Sequence, residues 1–212
     1  MATISENPES TGRGWSERWS PLGGLGFVIG IIALLVFNPD SGETPADVIK
    51  AADDKHDLFV AMAIFGLVSI PLLLWFVSGL HARVRRLQSE TAPALVLAGG
   101  TAFALLFFIA FEIFAAPFTD FPGKADPTLA ANTYLTIDDI GWVILGGAGV
   151  AFALMAIAAS IAALKSRTVP TWLGWLGAIV GLAAAATVMF FGIFAWIAWI
   201  LVASILLLVR RA

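Results

Sequence analysis

Apolar residues along this chain come in blocks far longer than a helical turn, separated by short polar stretches. Residues 22–37, 58–80 and 140–164 contain no Asp, Glu, Lys or Arg, and residues 92–116 contain a single acid, Glu112. A helix needs roughly 20 such residues to cross a hydrocarbon layer about 30 Å thick, so these four blocks predict one span each. Residues 172–209 are again free of charge, and as one helix they would reach about 57 Å at 1.5 Å per residue. That is nearly two crossings. The block therefore predicts two spans, 172–189 and 193–209, with a tight reversal around Phe190-Phe191-Gly192. The expected fold class is all-α: a polytopic transmembrane helical bundle of six spans behind a flexible tail at residues 1–20.

The polar stretches add detail. The tail carries Pro, Gly and Ser and brings Trp15 and Trp19 to the membrane interface. Arg13 and Arg18 precede the first span as they would a signal peptide, yet the NPDSGETP that follows lacks a small-x-small cleavage pattern, which predicts a retained signal-anchor. Between Asn38 and Asp57 the connection is acidic, and Thr44-Pro45-Ala46-Asp47 supplies a capping hydroxyl, a proline at the first helical position and an acid at the third. A short surface helix is expected there, lying on the membrane face with Val48, Ile49 and Ala52 on its apolar side. Pro71, near the middle of the second span, predicts a structural kink because a mid-helix proline frees a carbonyl one turn back. Pro117 to Ile137 reads as a second polar connection, interrupted by Pro122, Gly123 and Pro127.

Composition agrees with the pattern: 59% of residues are hydrophobic and 13% charged, which leaves little for a soluble domain. A net charge of −3 gives no basic footprint for nucleic acid. The absence of cysteine excludes disulfides, thiolate metal sites and a cysteine nucleophile. With six spans, nine of the 12 Lys and Arg residues fall on one side, among them Arg83, Arg85, Arg86, Lys165, Arg167, Arg210 and Arg211. Lys50, Lys55 and Lys124 fall on the other. The positive-inside rule then puts both termini in the cytoplasm and the two acidic connections outside. The lipid bilayer is the first partner. Gly26-x-x-x-Gly30 and Gly177-x-x-x-Gly181 allow close helix contact, either with a membrane-protein partner or second copy or within one chain.

Candidate chemistry gathers at the outer ends of the spans. Glu112 lies about one turn from the outer end of the third span. A carboxylate inside a membrane is costly and is expected to face protein or water. Asp138 and Asp139 enter the membrane at the same level, with His56 and Asp57 at the mouth of the second span. Together they form a candidate ligand or ion cluster, able to hold a cation or exchange a proton. Each member has a plainer reading: Thr136-x-x-Asp139 has capping-box spacing, Glu112 can pair with Lys55 or Lys124, and the histidines suit solvated span ends. Two isolated histidines make no metal motif, so any metal is unknown. On the fourth span, Asp138, Gly149 and Ser160 align on one face. No Walker loop, dinucleotide fingerprint, nucleophile elbow or HExxH is present, so no cofactor is expected and motif-dependent enzyme classes lose support.

The stretch Lys165-Ser166-Arg167-Thr168-Val169-Pro170-Thr171-Trp172-Leu173-Gly174-Trp175-Leu176-Gly177 follows a Gly- and Ala-rich span that opens on acids. It resembles a family of uncharacterised bacterial integral membrane proteins, catalogued as a domain of unknown function. The resemblance implies a multi-pass protein of about six helices in the bacterial cytoplasmic (inner) membrane, without assigned catalytic residues. The function expected is that of an accessory or sensory membrane protein binding a partner or small ligand at its outer face. A small ion- or proton-coupled transporter using Glu112 is the alternative, although no inverted repeat relates the two halves. A membrane enzyme acting on lipid is the third.

Overall fold

The computed structural model describes residues 18–37, 41–87, 90–120, 126–167, 170–186 and 191–209, and among these every regular element is helical. The helices are α1 (Pro21–Phe37), α2 (Pro45–Asp54), α3 (His56–Arg86), α4 (Ala92–Asp120), α5 (Pro127–Lys165), α6 (Thr171–Ala184) and α7 (Phe191–Val209). Four of them, α3, α4, α5 and α7, are long and apolar enough to cross a membrane, and α1 and α6 are shorter apolar helices. Large apolar side chains point outward from the bundle. Ile29, Val143 and Val150 are 68%, 72% and 59% exposed, an arrangement that suits lipid and would be unfavourable in water.

Six helices close into a ring in the order α1, α3, α4, α5, α6, α7. Their contacts make each neighbouring pair antiparallel. Gly23 meets Leu72 and Phe76 while Gly30 meets Phe65, which sets α1 against α3. Gly100 meets Val77 and Gly66 meets Glu112 between α3 and α4; Gly99 meets Met155 and Gly141 meets Phe114 between α4 and α5. On α6, Gly174 lies against Leu164 and Gly181 against Ala156 of α5. Gly177 also approaches Trp199 of α7, and Gly24 of α1 meets Ser204 of α7, which closes the ring. Both small-residue motifs of the sequence thus have partners within the chain.

Lipid tails are as apolar as leucine, so close packing rather than water exclusion must hold such helices together. Gly99 shows how tight it is. A β-carbon there would lie 2.7 Å from the Ala151 carbonyl oxygen and 2.8 Å from the Met155 nitrogen, so the α4 and α5 backbones touch. Inside the ring is an aromatic column. Phe103 stacks edge-on against Phe152 and Trp196, each with centroids 5.1 Å apart, and Phe27 meets Phe107 at 4.9 Å.

The ring separates charge by end. Arg18, Arg83, Arg85, Arg86, Lys165 and Arg167 lie where α1 begins and α3 ends, hereafter the basic end. The opposite, acidic end carries Glu43, Asp47, Asp53, Asp54, Asp57, Asp126 and Asp139 together with Lys50 and Lys55.

Several boundaries depart from the sequence expectation. The helix expected to open near Ile140 begins at Pro127, capped by the Asp126 carboxylate, which accepts from the Leu129 amide at 3.0 Å. Asp126-Pro127 has the cap and first-position proline that a start requires. Downstream, Thr133 and Thr136 donate their hydroxyls to the Leu129 and Asn132 carbonyls one turn back, at 2.9 and 3.1 Å, instead of capping anything. Asp138 and Asp139 are accordingly interior to α5, about three turns in, and the capping-box reading of Thr136-x-x-Asp139 fails. The second polar connection shrinks in the same way, since α4 continues through Pro117 to Asp120.

The surface helix forms as its cap predicts: the Asp47 amide donates to Thr44 Oγ1 at 3.2 Å and the Thr44 hydroxyl donates to Asp47 Oδ2 at 2.6 Å. Its apolar side, however, is covered by protein. Val48, Ala51 and Ala52 are buried, and α2 packs on α5 and α3. The early start of α5 supplies that surface. The last two helices have other bounds than expected: α6 ends at Ala184 and α7 begins at Phe191, so Phe191 and the buried Gly192 lie in the first turn of α7 rather than in a reversal. Phe190 falls outside the described residues. α3 remains helical through Pro71, whose ring is on the exposed side, and Ser69 donates to the Gly66 carbonyl at 2.6 Å on the buried side.

Candidate functional site

Because each helix of the ring turns one stripe inward, residues spaced three or four apart converge on the axis. At the acidic end they do not fill it, leaving a cavity of about 390 Å³. α4 contributes Phe107, Phe111 and Phe114, α5 contributes Tyr134, Asp138, Trp142 and Leu145, and α7 contributes Ile193 and Trp196. Ile31, Leu34 and Leu35 of α1 and Phe59 and Met62 of α3 complete the wall. Ser41, Gly42 and Glu43, just ahead of α2, lie across its rim. Gly42 is at φ 81°, a backbone conformation that only glycine adopts without strain.

Few polar groups interrupt these aromatic walls, and they are specifically held. Tyr134, 3% exposed, donates its hydroxyl to Asp138 Oδ1 at 3.1 Å, and Ser41 Oγ is 3.2 Å from the same hydroxyl. One turn of α5 separates Tyr134 from Asp138, so the helix itself fixes that bond. Deeper in the wall, the buried Trp196 Nε1 has no hydrogen-bond partner among the described residues. A buried donor left unpaired costs about 1–3 kcal/mol. The lining includes two acids, Asp138 and Glu43, and no Lys, Arg or His among the described residues. Aromatic faces attract cations through their quadrupoles, so walls and acids favour the same sign of charge.

The five residues singled out from the sequence are dispersed. Asp138 lines the cavity. Asp139, its neighbour, is exposed. Glu112 is half-buried and faces α3, where its carboxyl stands 3.0 Å from the position a Gly66 β-carbon would take. It is not part of the cavity lining. His56 is half-buried and Asp57 exposed in the first turn of α3. Among the described residues no three His, Asp or Glu side chains gather as a metal site would require.

Tyr134, Ser41, Glu43 and Trp196 were not singled out from the sequence. Tyr134 had a signal: it is the chain's one tyrosine, placed four residues before an acid. That spacing gains meaning only once α5 is known to start at Pro127. Trp196 had none, being one of 8 tryptophans in a chain with 16 phenylalanines. Set against family models, curated proteins and solved structures, the chain matches none.

Proposed function

We propose that this chain is a six-span protein of the bacterial cytoplasmic membrane, both termini inside, that binds a small ligand from the outer side as an accessory or sensory protein. The membership of that bacterial family rests on the resemblance at residues 165–177. Topology is supported by the separation of charge between the ends of the ring and by the packing of α6 along α5, antiparallel to it, despite its 14 residues. The acidic end then faces outward, and Ser41, Gly42 and Glu43 lie at the cavity's outer rim.

The ligand class is an apolar or aromatic body with a cationic group. One observation carries this: an aromatic cavity whose charged side chains among the described residues are Asp138 and Glu43, with Asp138 fixed by Tyr134. An ammonium would sit against the Asp138 carboxylate and the aromatic faces. Such cavities, mostly apolar with a few convergent polar groups, are the usual form of small-molecule sites.

Benzyltrimethylammonium is a suitable probe, compared with its neutral carbon isostere neopentylbenzene by calorimetry and tryptophan fluorescence. The cation is expected to bind more tightly than the isostere, and Asp138→Asn to lower its affinity about 10- to 100-fold, as the loss of a facing carboxylate charge implies. Equal binding of cation and isostere, or an unaffected Asp138→Asn protein, would sink the reading. Trp196→Phe keeps the wall and removes the unpaired donor. The unliganded variant is expected to be as stable as wild type or more stable by about 1 kcal/mol, measured by thermal melting.

Transport is the second reading, and it too has an observation behind it. A second cavity lies at the basic end, and aromatic rings link the two: Trp196 lines one, Trp199 the other, and Phe152 packs against both at centroid distances of 6.3 and 5.5 Å. If the layer opens, Glu112 at the α3–α4 contact is the group to couple proton movement to it. Probe uptake into proteoliposomes under a proton gradient, abolished by Glu112→Gln, is what that reading requires.

A further inference from the structure

The basic-end cavity differs in kind from the outer one. It measures about 550 Å³ and is enclosed by α3, α5, α6 and α7, a size within the range of ligand sites. Small side chains make the space, chiefly Ala159, Ala163, Gly177 and Ala203, and aliphatic ones such as Val180 and Leu206 line it. Only Trp199 brings an aromatic ring. Among the described residues its charged groups are Arg83 and Arg86, from the last turn of α3.

Those arginines are arranged to meet an anion at the rim. Arg83 is half-buried and donates from Nη2 to the Leu207 carbonyl at 2.8 Å, which anchors the guanidinium beside the end of α7. Arg86 is exposed three residues on. Planar guanidinium groups suit phosphate oxygens and carry their charge at any working pH. The same end bears Trp172 and Trp175, 67% and 60% exposed on the first turns of α6, where tryptophans mark headgroup depth. An aliphatic hollow thus meets fixed positive charge at the level of lipid phosphates.

We infer that this cavity is a binding site for an anionic phospholipid, one acyl chain lying among Ala163, Gly177 and Val180 and the headgroup phosphate at Arg83 and Arg86. Charge favours lipid over the chain's own C-terminus, whose Arg210-Arg211 follow α7 at this end. The N-terminal tail is mostly polar, with Met1, Ile4 and Trp15 its larger apolar residues, and poorly suits an aliphatic space. The site does not depend on the outer ligand.

Native mass spectrometry of the purified chain with phosphatidylglycerol or phosphatidylcholine of identical acyl chains tests the assignment. Wild type is expected to retain one phosphatidylglycerol in preference to phosphatidylcholine. Arg86→Gln, at an exposed position that folding tolerates, is expected to reduce that preference roughly fivefold, the value of one basic residue near a lipid surface. Ala163→Phe fills the hollow and is expected to lose the bound lipid with both arginines intact, folding being checked by thermal melting. Equal retention of the two lipids, or an Arg86→Gln protein with undiminished preference, would overturn the headgroup assignment. Should inorganic phosphate alone stabilise wild type as much as phosphatidylglycerol does, or a folded Ala163→Phe protein keep its lipid, the acyl-chain site is wrong.

Discussion

The two cavities share a scaffold and differ in chemistry. A single face of α5 passes from Tyr134 and Asp138 in the acidic-end cavity to Ser160 in the basic-end one, and α7 presents Trp196 to the first and Trp199, about one turn away, to the second. Yet the acidic-end walls are aromatic and their charged residues, among those described, are Asp138 and Glu43, while the basic-end walls are mostly aliphatic and theirs are Arg83 and Arg86. The difference argues against one charged ligand occupying both. A cation welcomed at Asp138 would be repelled at Arg83, so a carrier of that cation would need a large rearrangement at the inner rim. Two separate ligands, a small cation at the acidic end and a lipid anion at the basic end, suit the electrostatics better.

The comparison can be broken most severely at the shared scaffold. Gly99→Leu would drive a side chain into the Ala151 and Met155 backbone, and overpacking of this kind costs about 3 kcal/mol or more. Loss of the folded protein, or of both binding activities together, is the expected result of melting and binding measurements. Asp138→Asn should separate the cavities, losing the ammonium probe as above while retaining phosphatidylglycerol at the wild-type level. Tyr134→Phe sharpens the contrast on a finer scale. It removes the donor that fixes Asp138 without removing charge, so the cation affinity is expected to fall about fivefold, the worth of one ordinary hydrogen bond. Smallest of all should be Glu112→Gln: since Glu112 faces Gly66 outside the cavity lining, equilibrium binding at either end is expected to stay within about twofold of wild type. A large loss of cation binding in that variant would return Glu112 to the site.

Hydrophobic blocks made the helical nature of the bundle, and most of its helix positions, legible before any coordinates. A run of apolar residues near 20 long has few alternatives to a helix where backbone groups must satisfy one another. Local caps were legible too: Thr44-Pro45 predicts the start of α2, and its hydroxyl does bond Asp47. Asp126-Pro127 has the same form but in sequence reads as a breaker within a polar connection, because Asn132, Thr133, Thr136 and two acids follow it. Those hydroxyls are satisfied by carbonyls of their own helix, which removes the penalty that composition alone suggested.

By itself, then, the sequence determined where along the chain the apolar helices lie, the segregation of basic and acidic residues and the capped start of α2, all of which depend on neighbours a few residues apart. Tertiary structure alone decided which face of each helix turns inward. Helices apolar all round carry little periodic signal to choose a face, and in this ring the choice depends on where glycines let backbones meet. That choice brings Asp138 into an aromatic cavity, turns Glu112 toward Gly66, and joins Arg83 to α7 across the chain.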